Sequence, residues 1–287
     1  MPAVLRGGVP HDRLTGKEIS RMHRSLPSLA AIAMVGLAST ASAQSAQNLA
    51  KQLANPIASL ISVPFQLNYN DGFGPQDGSQ TYLNVQPVVP FSLSAHWNAI
   101  VRTIVPIIGQ DDVLPDSGSQ FGLGDTTQTV FLSPKAPGPG GLVWGVGPAF
   151  LWPTATDDEL GSGKWGAGPS VVALIQQGPW TYGLLANQIW SYAGADDRSD
   201  VSSTFLQPFL VYNTPKAVSI ALNTETTYNW VAEEWSVPIN LQVNKTMKIA
   251  QQALQIGGGV RYWADSPDSG PEGWGARLNL TLLFPKG

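Results

Sequence analysis

The chain is predicted to be all-β: an antiparallel up-and-down transmembrane β-barrel of about twelve strands, with a short helical segment before the first strand. Three observations predict this fold: acids that cluster in every second connection, apolar residues that recur with a period of two, and tryptophans near strand ends. Charged residues make up only 13% of the 287 residues, about half the share in soluble domains. No stretch has the ~20 apolar residues of a membrane helix, so a membrane protein of this composition must close its strand edges in a barrel.

The N-terminal residues 1–43 have the features of a secretory signal peptide. Basic residues precede a short apolar run, 26–37, and an Ala-Ser-Ala sequence ends at Ala43, after which cleavage is predicted. Residues 1–21 precede a second methionine, Met22, that would begin a leader of ordinary length. An upstream start-site artefact is therefore an open alternative for that part.

The remaining chain is acidic and has no cysteine. Residues 44–287 hold 11 basic and 18 acidic side chains, a formal net charge of −7, which argues against nucleic-acid binding. Because disulfides are absent, strand closure and packing must stabilise the exported protein. We expect it in the outer membrane of a Gram-negative bacterium, with membrane lipids, lipopolysaccharide and the barrel assembly machinery as partners. No cofactor or metal is expected.

Residues 44–61 are predicted to form a short helical segment. The four apolar residues from Leu49 to Leu60 recur at helical spacing. Asn55 and Pro56 resemble a helix cap followed by proline at the first helical position. The segment would lie in the periplasm or enter the barrel as a plug, and a disordered lead-in is the alternative.

From residue 62 to 287 the hydrophobic pattern has a period of two. In the last strand, for example, Leu278 and Leu280 alternate with Arg277 and Asn279. One face of each strand is apolar and the other polar or small, as in a membrane barrel. The predicted strands begin near residues 62, 80, 96, 120, 142, 164, 180, 202, 217, 235, 253 and 273. An even count returns both termini to the same side of the membrane.

The charges divide the connections into two sets that alternate along the chain, and alternate connections of an up-and-down barrel lie at opposite ends. Six connections carry 16 of the 18 acids after position 43, and we name their end the acidic rim: Asp71, Asp77, Asp111, Asp112, Asp116, Asp157, Asp158, Glu159, Asp196, Asp197, Asp200, Glu233, Glu234, Asp265, Asp268 and Glu272. The other five have only lysines as charges, and we name their end the lysine rim: Lys135, Lys216, Lys245 and Lys248.

The tryptophans favour the same arrangement, because they lie near strand ends, where indole rings sit at the level of lipid headgroups. The predicted aromatic girdle consists of Trp97, Trp144 and Trp180 at the lysine rim and Trp152, Trp165, Trp190, Trp230, Trp235 and Trp274 at the acidic rim. Trp263 lies near the acidic rim as well. Core tryptophans of a soluble β-sandwich are the alternative, but these would lie in the middle of strands.

A few charges remain inside strands, in register with the polar face. A charge there faces the lumen and avoids the ~2–4 kcal/mol that a lipid-facing charge costs at mid-membrane. The predicted pore-lining residues are Arg102, Glu225, Arg261, Arg277, Asn223, Asn240 and Asn279. Two roles stay open: a constriction that selects permeants by charge, and cross-lumen pairs that brace the wall.

No enzymatic motif is evident, and we expect no catalytic residues. His96 is the single histidine after residue 43, and it lies at the lysine rim. A barrel hydrolase that uses serine and histidine would therefore have one candidate base. The acid clusters lack the ligand spacing of a calcium loop and are expected to be solvated; bridging by divalent cations to lipopolysaccharide is the alternative.

Several motifs resemble those of bacterial outer-membrane proteins known as the MetA-pathway of phenol degradation family, whose members are also called transporter or neuromedin U. The motifs are Gly122-Leu123-Gly124-Asp125, Gly147-Pro148, Pro153-Thr154-Ala155-Thr156, Leu160-Gly161-Ser162-Gly163-Lys164-Trp165, Gly168-Pro169 and Gly259-Val260-Arg261-Tyr262-Trp263. The resemblance spans about Asn55 to Pro285 and implies a barrel that passes small compounds, aromatic or hydrophobic ones among them. It implies no catalytic residues.

These observations favour an outer-membrane channel or transporter for passive uptake of small solutes. Twelve strands lie between the eight that side chains fill and the sixteen that leave an open aqueous channel, so a narrow, partly obstructed pore is expected. A structural or adhesive barrel with a filled lumen is the second hypothesis, and a barrel hydrolase the third.

Overall fold

The computed structural model describes residues 46–113 and 118–285, and within them the chain forms a closed antiparallel barrel. The predicted signal peptide, 1–43, and Asp116 of the acidic rim lie outside the described residues. Within these ranges, no helix combines the length and the apolar character that crossing a membrane would require.

Twelve strands form the wall, and four of them are broken into two segments. They are β1 Ile61–Phe73; β2 Gly78–Val85 and Val88–Ser92; β3 Trp97–Asp111; β4 Ser119–Leu123 and Thr126–Pro134; β5 Leu142–Trp152; β6 Lys164–Gln177; β7 Trp180–Gly194; β8 Ser202–Asn213; β9 Val218–Thr224 and Thr226–Asn229; β10 Glu234–Ser236 and Pro238–Ile249; β11 Gln252–Trp263; and β12 Gly273–Phe284. Three short 3-10 turns lie in connections: Gly74–Gln76, Pro139–Gly141 and Asp158–Leu160. The predicted fold class and strand count are confirmed.

Each strand pairs antiparallel with its neighbours in sequence, and β12 closes the barrel against β1. Closure runs in register from Ile61 opposite Phe284 to Tyr69 opposite Ala276. No strand edge is left unpaired in such a ring, which is the condition for a sheet in lipid.

Proline explains one of the strand breaks. Glu225 interrupts β9, and the registers on both sides of the break place it opposite Gln207 of β8 and Pro238 of β10. Proline has no N–H and cannot donate to the ladder. One backbone contact persists, from the Glu225 N–H to the Pro238 carbonyl at 3.3 Å. The break therefore holds a charged residue at a weak point of the wall.

Burial separates the two faces of the wall. On β12, Arg277 is 2% exposed, whereas the next residue, Leu278, is 62% exposed. The polar set predicted to face inward is thus the buried one, and the outward set is apolar. The hydrophobic side chains of the outer face are the ones that a lipid environment would cover.

The N-terminal segment, residues 46–60, packs against the inner wall at the lysine rim. Its helix covers residues 46–53 and the rest forms turns, so the described part of the predicted helical segment, 44–61, contains one short helix. Asn55 does not cap a second helix, because its side-chain oxygen accepts a hydrogen bond from the Ile57 N–H at 3.0 Å and forms a turn.

Apolar side chains inside the barrel hold this segment. Ile57 forms a buried cluster with inward-facing residues of four strands: Ile100, Phe131, Val172, Leu174 and Leu185. Gly145 leaves room beneath it, since a Cβ there would lie 3.4 Å from Ile57 Cδ1 and 3.2 Å from Phe131 Cβ. Leu49 and Leu60 pack against two further wall residues, Ala253 and Leu283.

Two hydrogen bonds anchor the segment as well. The Asn98 side-chain amide donates to the Ser59 hydroxyl at 2.9 Å, and the Gln176 amide donates to the Lys51 carbonyl at 2.8 Å. The lumen at the lysine rim is therefore a packed core that includes part of the chain before β1.

Candidate functional site in the barrel lumen

Glu225 is the centre of a charged cluster in the lumen. Its Oε2 accepts hydrogen bonds from Arg261 Nη2 at 2.6 Å and Arg277 Nη2 at 2.8 Å, and its Oε1 accepts one from Arg277 Nη1 at 2.9 Å. Both arginine side chains are almost fully buried. A carboxylate shared by two guanidinium groups in this geometry makes strong charge-assisted bonds.

Amide and phenol oxygens from other strands complete the arginine contacts. Arg261 Nε donates to Asn240 Oδ1 at 2.8 Å and its Nη1 to the Tyr82 hydroxyl at 2.5 Å. Arg277 Nε donates to Asn68 Oδ1 at 2.7 Å. The cluster thus ties β1, β2, β10, β11 and β12 to the break in β9.

Trp263 belongs to this inner cluster and not to the outer face. Arg261 Cζ lies 5.4 Å from its ring centroid, a cation–π contact, and its indole N–H donates to Asn70 Oδ1 at 3.4 Å. Its position near the acidic rim suggested a place at the headgroup level. The period of two, which Trp263 shares with Arg261, is what places it inside.

An amide ladder lies beside the charged cluster. Asn279 donates to Gln242 Oε1 at 2.7 Å and to Asn244 Oδ1 at 3.1 Å, and Gln242 donates to Asn223 Oδ1 at 3.4 Å. The ladder crosses β9, β10 and β12 on the inner face. Both predicted pore-lining asparagines of these contacts, Asn223 and Asn279, are half-buried.

Arg102 lies apart from the shared carboxylate. Its Nη2 donates to Gln86 Oε1 at 2.9 Å, and the Gln86 amide in turn donates to Gln66 Oε1 at 3.2 Å. Among the described residues, the lumen ion pairs join Glu225 to Arg261 and Arg277 only. Arg102 therefore has a neutral partner and no carboxylate in contact.

Two cavities border Arg102. The lysine-side cavity, of about 240 Å³, is lined by the N-terminal segment and by wall residues that include Val88, Gln207 and Phe209. The acidic-side cavity, of about 320 Å³, is lined by both apolar and polar side chains, among them Ile104, Thr127, Leu151, Asn187, Ile189 and Phe205. Arg102 is shared by the two.

The nine predicted girdle tryptophans lie on the outer face near the strand ends. Seven are exposed: Trp97, Trp165, Trp180, Trp190, Trp230, Trp235 and Trp274. Trp144 and Trp152 are half-buried because each packs edge-on against another tryptophan, Trp97 at 6.0 Å and Trp165 at 5.4 Å between ring centroids. Tyr228 packs against Trp230 and Trp235, a contact that strand-end position alone does not suggest.

An ion pair lies at the acidic rim. Lys164 Nζ is 3.3 Å from Asp200 Oδ1, and Ser191 donates a hydrogen bond to the same oxygen at 3.1 Å. The hydrogen bond from Lys164, followed by that from Ser191, lowers the pKa of Asp200 below its usual range. In the described part of the chain, no group of three or more His, Cys, Asp or Glu is arranged to hold a metal ion.

Sequence reasoning missed three members of the cluster, Asn68, Asn70 and Tyr82, and also Gln86, the partner of Arg102. The period of two places each on the inner face, so a signal for their orientation existed. Which of them meets Arg261 depends on the curvature of the closed wall, since Tyr82 and Arg261 are 179 positions apart.

A closed twelve-stranded antiparallel barrel with a polar inner face and an apolar outer face defines the architecture of an outer-membrane β-barrel. The COG4313 outer membrane channel from Pseudomonas putida F1 has a similar structure, with a TM-score of 0.61 and 17% sequence identity over 78% of this chain and 94% of that one. At this identity the likeness concerns the fold.

Two other solved barrels are more distant. Outer membrane phospholipase A from Escherichia coli gives a TM-score of 0.47 at 8% identity, over 78% of this chain and 90% of that one. A KdgM porin in complex with disordered oligogalacturonate gives a TM-score of 0.42 at 8% identity, over 79% of this chain and 99% of that one. No family model matches the chain, and no curated protein matches it either.

Proposed function

We propose that the protein is a channel of the Gram-negative outer membrane through which small solutes pass passively, aromatic and hydrophobic compounds among them. The observation that carries this proposal is the space on both sides of Arg102, about 240 and 320 Å³ inside a closed wall. A wall that only had to be stable could fill its interior with side chains, as eight-stranded barrels do.

The sequence motifs and the fold support the proposal together. The motifs resemble the MetA-pathway of phenol degradation family, and the fold resembles that of a COG4313 outer membrane channel. Membership of the former family is part of the proposal. So are export with cleavage after Ala43, assembly by the barrel assembly machinery, and contact with lipopolysaccharide at the acidic rim.

We assign the predicted pore-lining residues two different roles. Arg261, Arg277, Asn240 and Glu225 hydrogen bond to one another and brace the wall across the break in β9. Arg102 borders both cavities, Asn223 and Asn279 belong to the amide ladder, and these three side chains would meet a permeant. The outward tryptophans would anchor the barrel at the two headgroup levels.

A structural barrel is the second candidate, and one observation favours it. The segment 46–60 and the Glu225 cluster both occupy the lumen, and Ile57 is only 4% exposed. The third candidate, a hydrolase, has weaker support. His96 lies in an exposed turn at the lysine rim, and Ser94 Oγ accepts from the backbone N–H of His96 and not from its ring.

Single-channel recording in planar bilayers separates the first two candidates. The mature chain, residues 44–287, is refolded into uncharged detergent and added to the bilayer. A channel gives discrete current steps, and no current above leak would favour the structural barrel. Liposome swelling across sugars, amino acids and phenolic acids then ranks the permeants, and equal rates for all of them would contradict a preference for aromatic compounds.

A further inference from the structure

We propose that Arg102 is an anion-binding site in the lumen, and that it binds the carboxylate group of a small amphiphilic molecule whose apolar part lies in the adjoining cavity. This assignment rests on the proposed channel function, because it names the chemical class of the permeant. Position, charge and the shape of the surrounding space each support it.

The position of Arg102 in the lumen is the first support for this site. Arg102 lies on the inner face of β3, and it is the charged residue that borders both the lysine-side and the acidic-side cavity. A solute that moves between the two cavities along this part of the wall passes its side chain. A cation at such a point acts on every solute in transit.

The charge of Arg102 is not balanced by contact. Glu225 already accepts three hydrogen bonds from Arg261 and Arg277. Together with Arg102, these side chains make three positive charges and one negative charge, a formal sum of +2. The excess positive charge lies in a confined space with low-dielectric walls, which strengthens its attraction for an anion.

The guanidinium group also has donors to spare. Among the described residues, only its Nη2 makes a hydrogen bond, to the Gln86 side chain. The other N–H groups of the planar fork are left for a ligand. A carboxylate matches this fork with two parallel hydrogen bonds, which a halide or a neutral hydroxyl cannot form.

The cavity walls argue for an apolar body on the anion. Ile104, Leu151, Ile189 and Phe205 line the acidic-side cavity together with hydroxyl and amide groups. Its volume of about 320 Å³ is at the lower end of the range of about 300–1,000 Å³ for small-molecule sites. A single ring or a short chain with one acidic group fits this combination better than a sugar or a multiply charged ion.

Binding of three probes to the refolded chain tests the site: benzoate, benzyl alcohol and acetate, titrated by calorimetry in uncharged detergent. Benzoate, which has both ring and charge, is expected to bind at least about tenfold more tightly than either of the others. Arg102→Met, which keeps the length and removes the charge, is expected to abolish the difference between benzoate and benzyl alcohol. Arg102→Lys, which keeps the charge and loses the planar fork, is expected to restore only part of it.

Planar bilayers supply the second readout. Benzoate is expected to reduce the chloride current of the wild-type channel at a concentration near the dissociation constant of the benzoate complex. The Arg102→Met channel is expected to need about tenfold more benzoate for the same reduction. Heat-modified migration in gels shows that each variant folds.

The two hypotheses fail in different ways. Current without any difference between benzoate and benzyl alcohol would overturn the anion site and leave the channel. Arg102-dependent benzoate binding without current would support the site and overturn the channel.

Discussion

Glu225 and Arg277 are joined by two parallel hydrogen bonds, Nη1 to Oε1 at 2.9 Å and Nη2 to Oε2 at 2.8 Å. Arg277 is on β12 and Glu225 is at the break in β9, so this pair bridges the inner face of the two strands between them, β10 and β11. Arg261 adds a third bond to the same carboxylate. The contact links the strand that closes the barrel to the break in β9.

Replacing Glu225 should therefore destabilise the barrel. Glu225→Gln leaves two buried guanidinium groups without a counter-charge, and breaking a buried pair in this way costs about 3–5 kcal/mol. Urea titration in lipid vesicles measures the free energy of unfolding. Glu234→Gln, which removes an exposed carboxylate at the acidic rim, is the matched control and should change it by less than about 0.5 kcal/mol. Equal effects of the two substitutions would contradict the bracing role.

The N-terminal segment should limit the current. Ile57→Ala removes most of the side chain that packs against Phe131 and Val172, and such a truncation costs about 2–5 kcal/mol of packing free energy. Since that free energy holds the segment inside the lumen, we expect larger single-channel conductance. Ile57→Val, which removes one methyl group, should have a much smaller effect. A conductance that is the same in all three proteins would show that the segment does not obstruct the path.

Much of the wall could be predicted from the sequence. All twelve strands begin within two residues of the expected positions, because lipid outside and a polar lumen inside impose one period of two along the whole chain. The same alternation is sufficient to assign Arg102, Arg261 and Arg277 to the inner face.

The contacts inside the lumen could not be predicted, because they depend on how the sheet curves and closes. Neither the shared carboxylate of Glu225 nor the Tyr82–Arg261 contact follows from alternation. The turn at Asn55, where the side-chain oxygen accepts a hydrogen bond from the Ile57 N–H, does not follow from alternation either. Trp263 shows the converse: its alternation placed it inside, whereas its proximity to the acidic rim suggested a place outside.

The pH dependence of the acidic rim should reflect the pair of Lys164 and Asp200. A carboxylate with a lowered pKa contributes stability at neutral pH, and this contribution is lost as the pH falls through the lowered pKa. Lys164→Met should raise the pKa of Asp200 towards its usual value, and Lys164→Arg should keep it low. Carbon-13 NMR of labelled aspartate side chains measures the titration. An unchanged Asp200 curve in Lys164→Met would mean that the ion pair does not form in solution.

The two environments of tryptophan provide a test of the membrane position. Variants that retain a single tryptophan, Trp274 or Trp263, are refolded into vesicles whose lipids carry bromine near the headgroup end of the acyl chains. Trp274 lies on the outer face and is 66% exposed, so its fluorescence should be quenched strongly. Trp263 is separated from lipid by the wall and packs on Arg261, so it should be quenched little. Comparable quenching of the two would contradict the assignment of inner and outer faces, and weak quenching of both would place the barrel outside the bilayer.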